Sequence, residues 1–208
     1  MKKIVALIIF LCFSAFSWSQ KIDPNAKRLL DTASEELSKN TTFYIKFNYL
    51  YVVPGQRSTV ETGQVYAAGE KYHLMLPNTT QIFDGNKIYT ISIDDKEITS
   101  SDREDGESLS PTNILNLYKK GFDITSGGIG TINNIKCSII KLVPSDTKKS
   151  KSIILAIANN RLVRVSENYN DGSSLILTVV DFKENLIVNK SLLTFDKNNY
   201  KDYTLTEL

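Results

Sequence analysis

Cysteine is nearly absent from this chain: there are two in 208 residues, Cys12 and Cys137. Cys12 falls in the apolar N-terminal run, which leaves Cys137 alone, excludes an intramolecular disulfide and leaves stability to packing. Cys137 sits between Ile135 and Ile139 at a spacing of two and reads as an inert buried thiol. Histidine is scarcer still, with His73 the single example. No second histidine completes a metal site, and no Gly-x-Ser-x-Gly elbow gives it a nucleophile to serve. His73 therefore reads as a surface or satisfied histidine, and neither a catalytic residue nor a cofactor is expected. Excess charge is missing too. Setting aside Lys2 and Lys3 leaves 23 of the 25 basic residues against 23 acidic ones, which excludes the clustered positive charge that nucleic-acid binding needs. Beyond the N-terminus no stretch approaches the ~18 apolar residues of a membrane-spanning helix.

The first residues carry their own signal. Lys2 and Lys3 precede an apolar run from Ile4 to Phe13 and then the small residues around Ser17-Trp18-Ser19, the layout of a secretory signal peptide. The expectation is a signal over residues 1–19, cleaved after Ser19 or Gln20, and one soluble, exported domain over residues 20–208. Cys12 follows Phe10 and Leu11 rather than small residues, so it does not read as a lipidation site.

Against these absences stands one long alternation, Thr42 to Val53. Phe43, Ile45, Phe47, Tyr49 and Tyr51 fall on one face, while Lys46 and Asn48 fall on the other, because side chains along a strand point alternately to opposite sides. Fully extended, this segment runs roughly 40 Å, about twice the usual strand, and it predicts the spine of a large sheet. A packed core and a groove for an apolar guest both fit its aromatic face.

Around this spine, Asp23-Pro24 reads as a helix cap with proline in the first turn. Ala26, Leu29, Leu30, Ala33 and Leu37 then form one apolar stripe on a helix ending near Asn40. After Pro54-Gly55 short strands follow in succession: Val60 to Ala68, Lys71 to Leu76, Thr80 to Phe83, Lys87 to Ile93 and Glu97 to Ser100, split by Gly69-Glu70, Asp84-Gly85-Asn86 and Asp94-Asp95. Ser110-Pro111 starts a second helix with Ile114, Leu115, Leu117 and Tyr118 on one stripe and Gly121 as its stop. Strands resume at Phe122 and continue through Ile135 to Val143, Ser152 to Ala158, Leu162 to Tyr169 and Ser174 to Phe182. The count is about eleven strands in an antiparallel sheet, which must curl, with two amphipathic helices to fill the curve.

Two charged stretches have plain readings. Asp102-Arg103-Glu104-Asp105-Gly106-Glu107 has its glycine one place early for a calcium loop, and Asn113 stands where the closing glutamate belongs, so it reads as a solvated loop. Asp146-Thr147-Lys148-Lys149-Ser150-Lys151 reads as a hairpin tip kept soluble by lysine, or a docking loop for an acidic partner.

The order of parts resembles the periplasmic outer-membrane lipoprotein carrier family, LolA-type. The resemblance is carried by Phe43 and Phe47; Gly63-Gln64-Val65-Tyr66; Phe83-Asp84-Gly85-Asn86-Lys87-Ile88-Tyr89; Ser110-Pro111; and Leu193-Thr194-Phe195-Asp196. It spans almost the whole chain after the signal. It implies a mainly β fold with α, a large antiparallel sheet curled into an unclosed half-barrel whose concave face is covered by amphipathic helices. It also implies a non-enzymatic monomer in the periplasm that takes acylated lipoproteins from an inner-membrane lipoprotein-releasing ABC transporter, with an outer-membrane receptor as a possible acceptor. Where proteobacterial members carry a lid-latching arginine this chain reads Ala68-Gly69-Glu70-Lys71, which makes Lys71 the candidate latch.

The chemistry suits such cargo. Even one sixteen-carbon chain costs on the order of 12 kcal/mol in water at ~0.8 kcal/mol per methylene. The candidate acyl-chain groove is Phe43, Ile45, Phe47, Tyr49, Tyr51, Val65, Tyr72 and Leu74, with Leu76 continuing the same face. The candidate lid is the helix bearing Ile114, Leu115, Leu117 and Tyr118. The alternatives are an exported binder of a smaller apolar ligand such as a fatty acid, and an interaction module with a solid core.

Overall fold

The computed structural model describes residues 21–102, 116–119, 121–146 and 150–208. The expected signal segment, the start of the expected second helix with Ile114 and Leu115, most of the acidic stretch and residues 147–149 of the lysine loop lie outside them.

Helix α1 spans Pro24–Ser38. Its first turn is closed by the Asp23 carboxylate, which accepts from the backbone N–H of Asn25 at 2.9 Å and of Ala26 at 3.0 Å, while Pro24 occupies a first-turn position that needs no donor. The helix ends at Ser38, two residues short of the expected Asn40. Ala26, Leu30, Ala33, Ser34 and Leu37 form its buried stripe. Just before it, Ile22 bridges Ile124 in parallel, so the entry of the helix is stitched to the sheet.

The strands are β1 (Thr42–Val52), β2 (Val60–Ala68), β3 (Lys71–Met75), β4 (Thr79–Phe83), β5 (Lys87–Ser92), β6 (Glu97–Asp102), β7 (Phe122–Ile132), β8 (Ile135–Pro144), β9 (Ser150–Ala158), β10 (Arg161–Tyr169), β11 (Ser174–Glu184) and β12 (Thr204–Glu207). They form one twelve-stranded sheet in the order β12-β6-β5-β4-β3-β2-β1-β11-β10-β9-β8-β7, with β12 and β7 as unjoined ends. This is the unclosed half-barrel that the sequence resemblance implies, with the opening strand at its middle. The β1 alternation survives intact, and its partners are β2 on one side and β11 on the other.

The expectation of about eleven strands, all antiparallel, is corrected at one edge. β12 pairs in parallel with β6, from Thr204 opposite Glu97 to Glu207 opposite Ser100. The segment between β11 and β12 straps across the outer face of β3 to β6. There Leu193 is buried, and Phe195, Tyr200 and Tyr203 pack with Tyr89 over Ile82, Ile91 and Ile98. Tyr89 and Phe195 stack with centroids 4.0 Å apart, and Phe195 and Tyr200 with centroids 5.7 Å apart. On the inner face α1 closes over Phe43, Ile45, Val65, Leu74, Ile124, Ile140, Leu142 and Leu155, the main core. Of the expected second helix the described part is Leu117–Lys119, a single 3-10 turn.

Candidate functional site

The expected groove residues share the inner face, but they divide by depth. Phe43, Val65, Tyr72 and Leu74 are sealed in the core with Ile45 beside them, Phe47 and Tyr49 are half-buried, and Tyr51 is 50% exposed. The tyrosine tips are engaged by side chains. Tyr72 donates to Gln81 at 2.7 Å, Tyr51 donates to Ser173 at 3.2 Å, and Tyr49 donates to Glu61. Burial and the Glu61 carboxylate push the Tyr49 phenol up to about 12.

Of the expected lid residues, Tyr118 is buried in the main core, and its hydroxyl donates to Asp31 of α1 at 2.5 Å. Ser34 of the same helix donates to Asn116 at 2.8 Å. The 116–119 segment is thus tied to α1, while Leu117 lies in the 3-10 turn. Burial works to raise the Asp31 carboxyl, but hydrogen bonds from Lys27 and Tyr118 and the charges of Lys27 and Lys119 outweigh it and hold it below the usual carboxylate range. Lys71 is exposed, and its chain runs past Gly85 in the β4–β5 turn. It shares strand parity with His73, facing away from Tyr72 and Leu74. Facing outward, His73 donates from Nδ1–H to the Leu192 carbonyl at 2.8 Å, which makes it a satisfied histidine. Cys137 is free and buried.

The opening in the half-barrel lies where α1 ends. A cleft of about 760 Å³ runs between the C-terminal turn of α1 and strands β10 and β11, with Ala33, Leu37, Ile45, Leu162, Val179 and Phe182 among its apolar walls. Two β-bulges border it. In β10 Leu162 pairs with Ile157 and Arg164 with Ala156, leaving Val163 over; in β11 Asp181 pairs with Lys46 and Val179 with Phe47, leaving Val180 over. Both extra residues line the cleft. Bulges bend the strand that carries them, and here they fall side by side on neighbouring strands. Of the expected groove residues, Ile45 alone borders the opening.

The mouth is polar and bound up with itself. Arg161 pairs with Glu184 at 2.9 Å, its guanidinium stands 5.2 Å from the centre of the Phe182 ring, and Asn40 donates to the same Glu184 carboxylate at 3.1 Å. This joins the residue just past the helix to β10 and β11. Asn159 and Asn160, at φ of 50° and 60°, make the β9–β10 turn at the rim, the paired left-handed conformation of a tight hairpin.

At the opposite end of the inner face Tyr51 and Tyr169 approach with centroids 6.4 Å apart, and Tyr169 donates to Glu167 at 3.2 Å. Among the described residues no helix is long and apolar enough to cross a membrane, and no group of three or more His, Cys, Asp or Glu could hold a metal ion.

No protein-family profile matches the chain. No curated protein matches it either. Solved structures do. An uncharacterized conserved protein from Thermus thermophilus aligns with a TM-score of 0.61 at 12% identity, covering 88% of this chain and 99% of its own. A LolA superfamily protein from Nitrosomonas europaea aligns at 0.44 with 11% identity, covering 82% and 97%. Lipoprotein LppX of Mycobacterium tuberculosis aligns at 0.45 with 15% identity, covering 80% and 100%. The likeness to the Thermus protein is one of fold, and the single open twelve-stranded sheet is the unclosed half-barrel expected from the sequence.

Proposed function

We propose that this protein is a non-enzymatic carrier that shields the acyl chains of lipoproteins against the inner face of its half-barrel. Residues 1–19 serve as a cleaved export signal and the carrier works in the periplasm. It receives cargo from an inner-membrane lipoprotein-releasing transporter and gives it up at the outer membrane.

The observation that carries this reading is the cleft under α1. Its volume of about 760 Å³ falls in the usual range of ligand sites, about 300–1,000 Å³. Its apolar walls belong to the core of the helix and the sheet, as Ala33, Leu37 and Ile45, or pack against it, as Leu162, Val179 and Phe182. A chain entering there continues the apolar surface of Leu37, Leu162 and Phe182 inward, past Ile45 toward Phe43 and Leu74. Each methylene taken from water stabilises the complex by ~0.8 kcal/mol. The sealed half of the groove becomes available only if α1 lifts, and the ties at Tyr118, Asn116 and Glu184 are what resist that movement. One chain fits the resting cleft, and further chains require the helix to move.

The test is release of cargo. The protein lacking residues 1–19 is incubated with spheroplasts of its own host, and the soluble fraction is examined for lipoproteins bound one-to-one. Release that is lost on Phe47→Asp or Val163→Asp, both variants being shown to fold, supports the carrier. No release, with the host's export machinery demonstrably active, rejects it.

A further inference from the structure

One apolar turn at the cleft end of the half-barrel is left uncovered. Past Glu184 the chain reads Asn185-Leu186-Ile187-Val188-Asn189-Lys190, and Ile187 is fully exposed while Leu186 and Val188 are half-buried. A lone exposed aliphatic is ordinary. Here three stand in a row, and both ends of the turn are fixed. Asn185 takes a left-handed φ of 54° and donates its N–H to the Thr42 carbonyl at 2.8 Å, and the Leu186 carbonyl accepts from the Thr42 hydroxyl at 2.8 Å. Asn189 accepts from the N–H of Ser191 at 3.1 Å and caps the 3-10 turn Lys190–Leu193, which buried Leu193 anchors. Ile187 is therefore held out from the fold. Glu184, at the foot of the turn, lines the cleft, as do Ile135 and Val180, which are 44% and 53% exposed. Lysines flank the apolar tip at Lys183 and Lys190. Each carboxylate lining the cleft is already paired, Glu36 with Lys39, Glu184 with Arg161 and Asp181 with Lys183. Lys190, and Lys136 beside Ile135, join no ion pair among the described residues.

We propose that residues 185–190 form a bilayer-contact turn: Ile187, with Leu186 and Val188 beside it, enters the acyl boundary of an anionic lipid surface, while Lys183 and Lys190 stay at the level of the phosphates. An aliphatic tip set between asparagines and then lysines matches the layers of a membrane interface, where apolar side chains reach the acyl boundary and cations meet the headgroups. A pocket on another protein would accept the aliphatic tip but has no need of a lysine on each side. The pair that Lys183 makes with Asp181 is 58% and 42% accessible, and such a pair opens at little cost when phosphates come near. One short turn gives weak, reversible attachment, which suits a protein that must leave the surface again. Docked in this way, the mouth of the cleft lies against the membrane. The contact goes beyond the carrier reading and is tested without acylated cargo, so either can fail alone.

The experiment sediments the chain lacking residues 1–19 with vesicles of phosphatidylcholine alone, and of phosphatidylcholine and phosphatidylglycerol in equal parts, at low and high salt. The expected result is binding to the anionic vesicles that weakens as salt rises. Ile187→Asp should weaken it by about tenfold with the melting temperature unchanged, because the side chain it replaces is fully exposed. Lys183→Gln combined with Lys190→Gln should remove most of the preference for phosphatidylglycerol. Trp18, the single tryptophan, lies in the removed segment, so Ile187→Trp supplies a unique fluorophore whose emission should move to shorter wavelength when anionic vesicles are added. No sedimentation with those vesicles, an emission that they leave unmoved, or Ile187→Asp binding as well as the unaltered protein overturns the contact. Loss of lipoprotein release from spheroplasts in Ile187→Asp, with no vesicle binding by the unaltered protein, also overturns it and assigns the turn to a protein pocket. Vesicle binding by a protein that releases no lipoprotein rejects the carrier and leaves the bilayer contact standing.

Discussion

Phe47 lays its ring against Gly63, its direct partner across β1 and β2: a methyl group on Gly63 would fall 2.5 Å from the ring's Cζ and 2.7 Å from a methyl of Leu76. The glycine that opens the β2 motif is thus a steric requirement of the inner face. Its φ lies outside the left-handed region, so the missing side chain, rather than backbone freedom, is what the site uses.

Gly63→Ala is expected to destabilise the fold by about 1–3 kcal/mol, the range for overpacking a closed site. Urea unfolding monitored by circular dichroism measures it. In the Phe47→Ala background the Leu76 methyl still crowds the added group, but the end of that side chain can turn into the space the ring leaves, so the cost of Gly63→Ala falls by roughly half or more. Equal costs in the two backgrounds would break the link between these residues.

The tie from Tyr118 to Asp31 gives a pH-dependent prediction. Asp31 titrates below its ordinary value of 3.8 in the folded protein. A depressed carboxyl contributes stability that is present above its unfolded pKa and is lost as pH falls through the folded one. Tyr118→Phe should therefore cost about 1 kcal/mol near neutral pH, since hydrogen bonds to charged groups exceed neutral ones but Asp31 is partly in water. The difference between the two proteins should shrink as pH drops below about 4. Unfolding at pH 6 and at pH 3 supplies the comparison, and a constant difference would remove Asp31 from the account.

His73 predicts a second pH window. Burial holds it below its ordinary 6.5, with the Leu192 carbonyl acting in the opposite sense. Between the unfolded and the folded pKa the unfolded chain binds the extra proton, so stability declines as pH falls below about 6.5. His73 is the chain's single histidine, so His73→Gln, which still offers a donor to Leu192, should flatten the melting temperature between pH 7.5 and 5.5. A slope that persists in the variant must come from elsewhere.

Much of this could be read from the chain, and what could not has identifiable physical causes. Asp23-Pro24 set the start of α1, and the unbroken alternation from Phe43 to Tyr51 set the central strand, because cap chemistry and period two are local signals. The outward position of Lys71 was also legible, since it alternates with Tyr72 and Leu74. The cleft was not. Val163 and Val180 are extra residues in their strands, and a bulge shifts the facing of every residue beyond it. Phe182 and Val179 share the inner face three residues apart, against the alternation. Arg161 and Glu184 meet only through the register of β10 against β11, which no spacing encodes. β12 is four residues long and exposed throughout, so it carries no buried face for a pattern to reveal.

Filling the cleft tests whether that opening is the place where acyl chains enter. Val179 lines it and packs on the core from a half-buried position. Trp18, the chain's only tryptophan, lies within residues 1–19, so Val179→Trp in the chain that starts at residue 20 introduces a unique fluorophore. The ring should occupy the cleft, show a blue-shifted emission that acrylamide quenches poorly, and change stability by less than ~1.5 kcal/mol, because the volume it needs is already open. With that space taken, the Kd for palmitoyl glycerol should rise by at least ~10-fold, since the ligand loses the apolar walls that enclose it. A shielded tryptophan together with unaltered binding would mean that the chain enters at the other end of the inner face. Phe47, Tyr49 and Tyr51 would then be the residues to change next, since they grade from half-buried to exposed along a single strand.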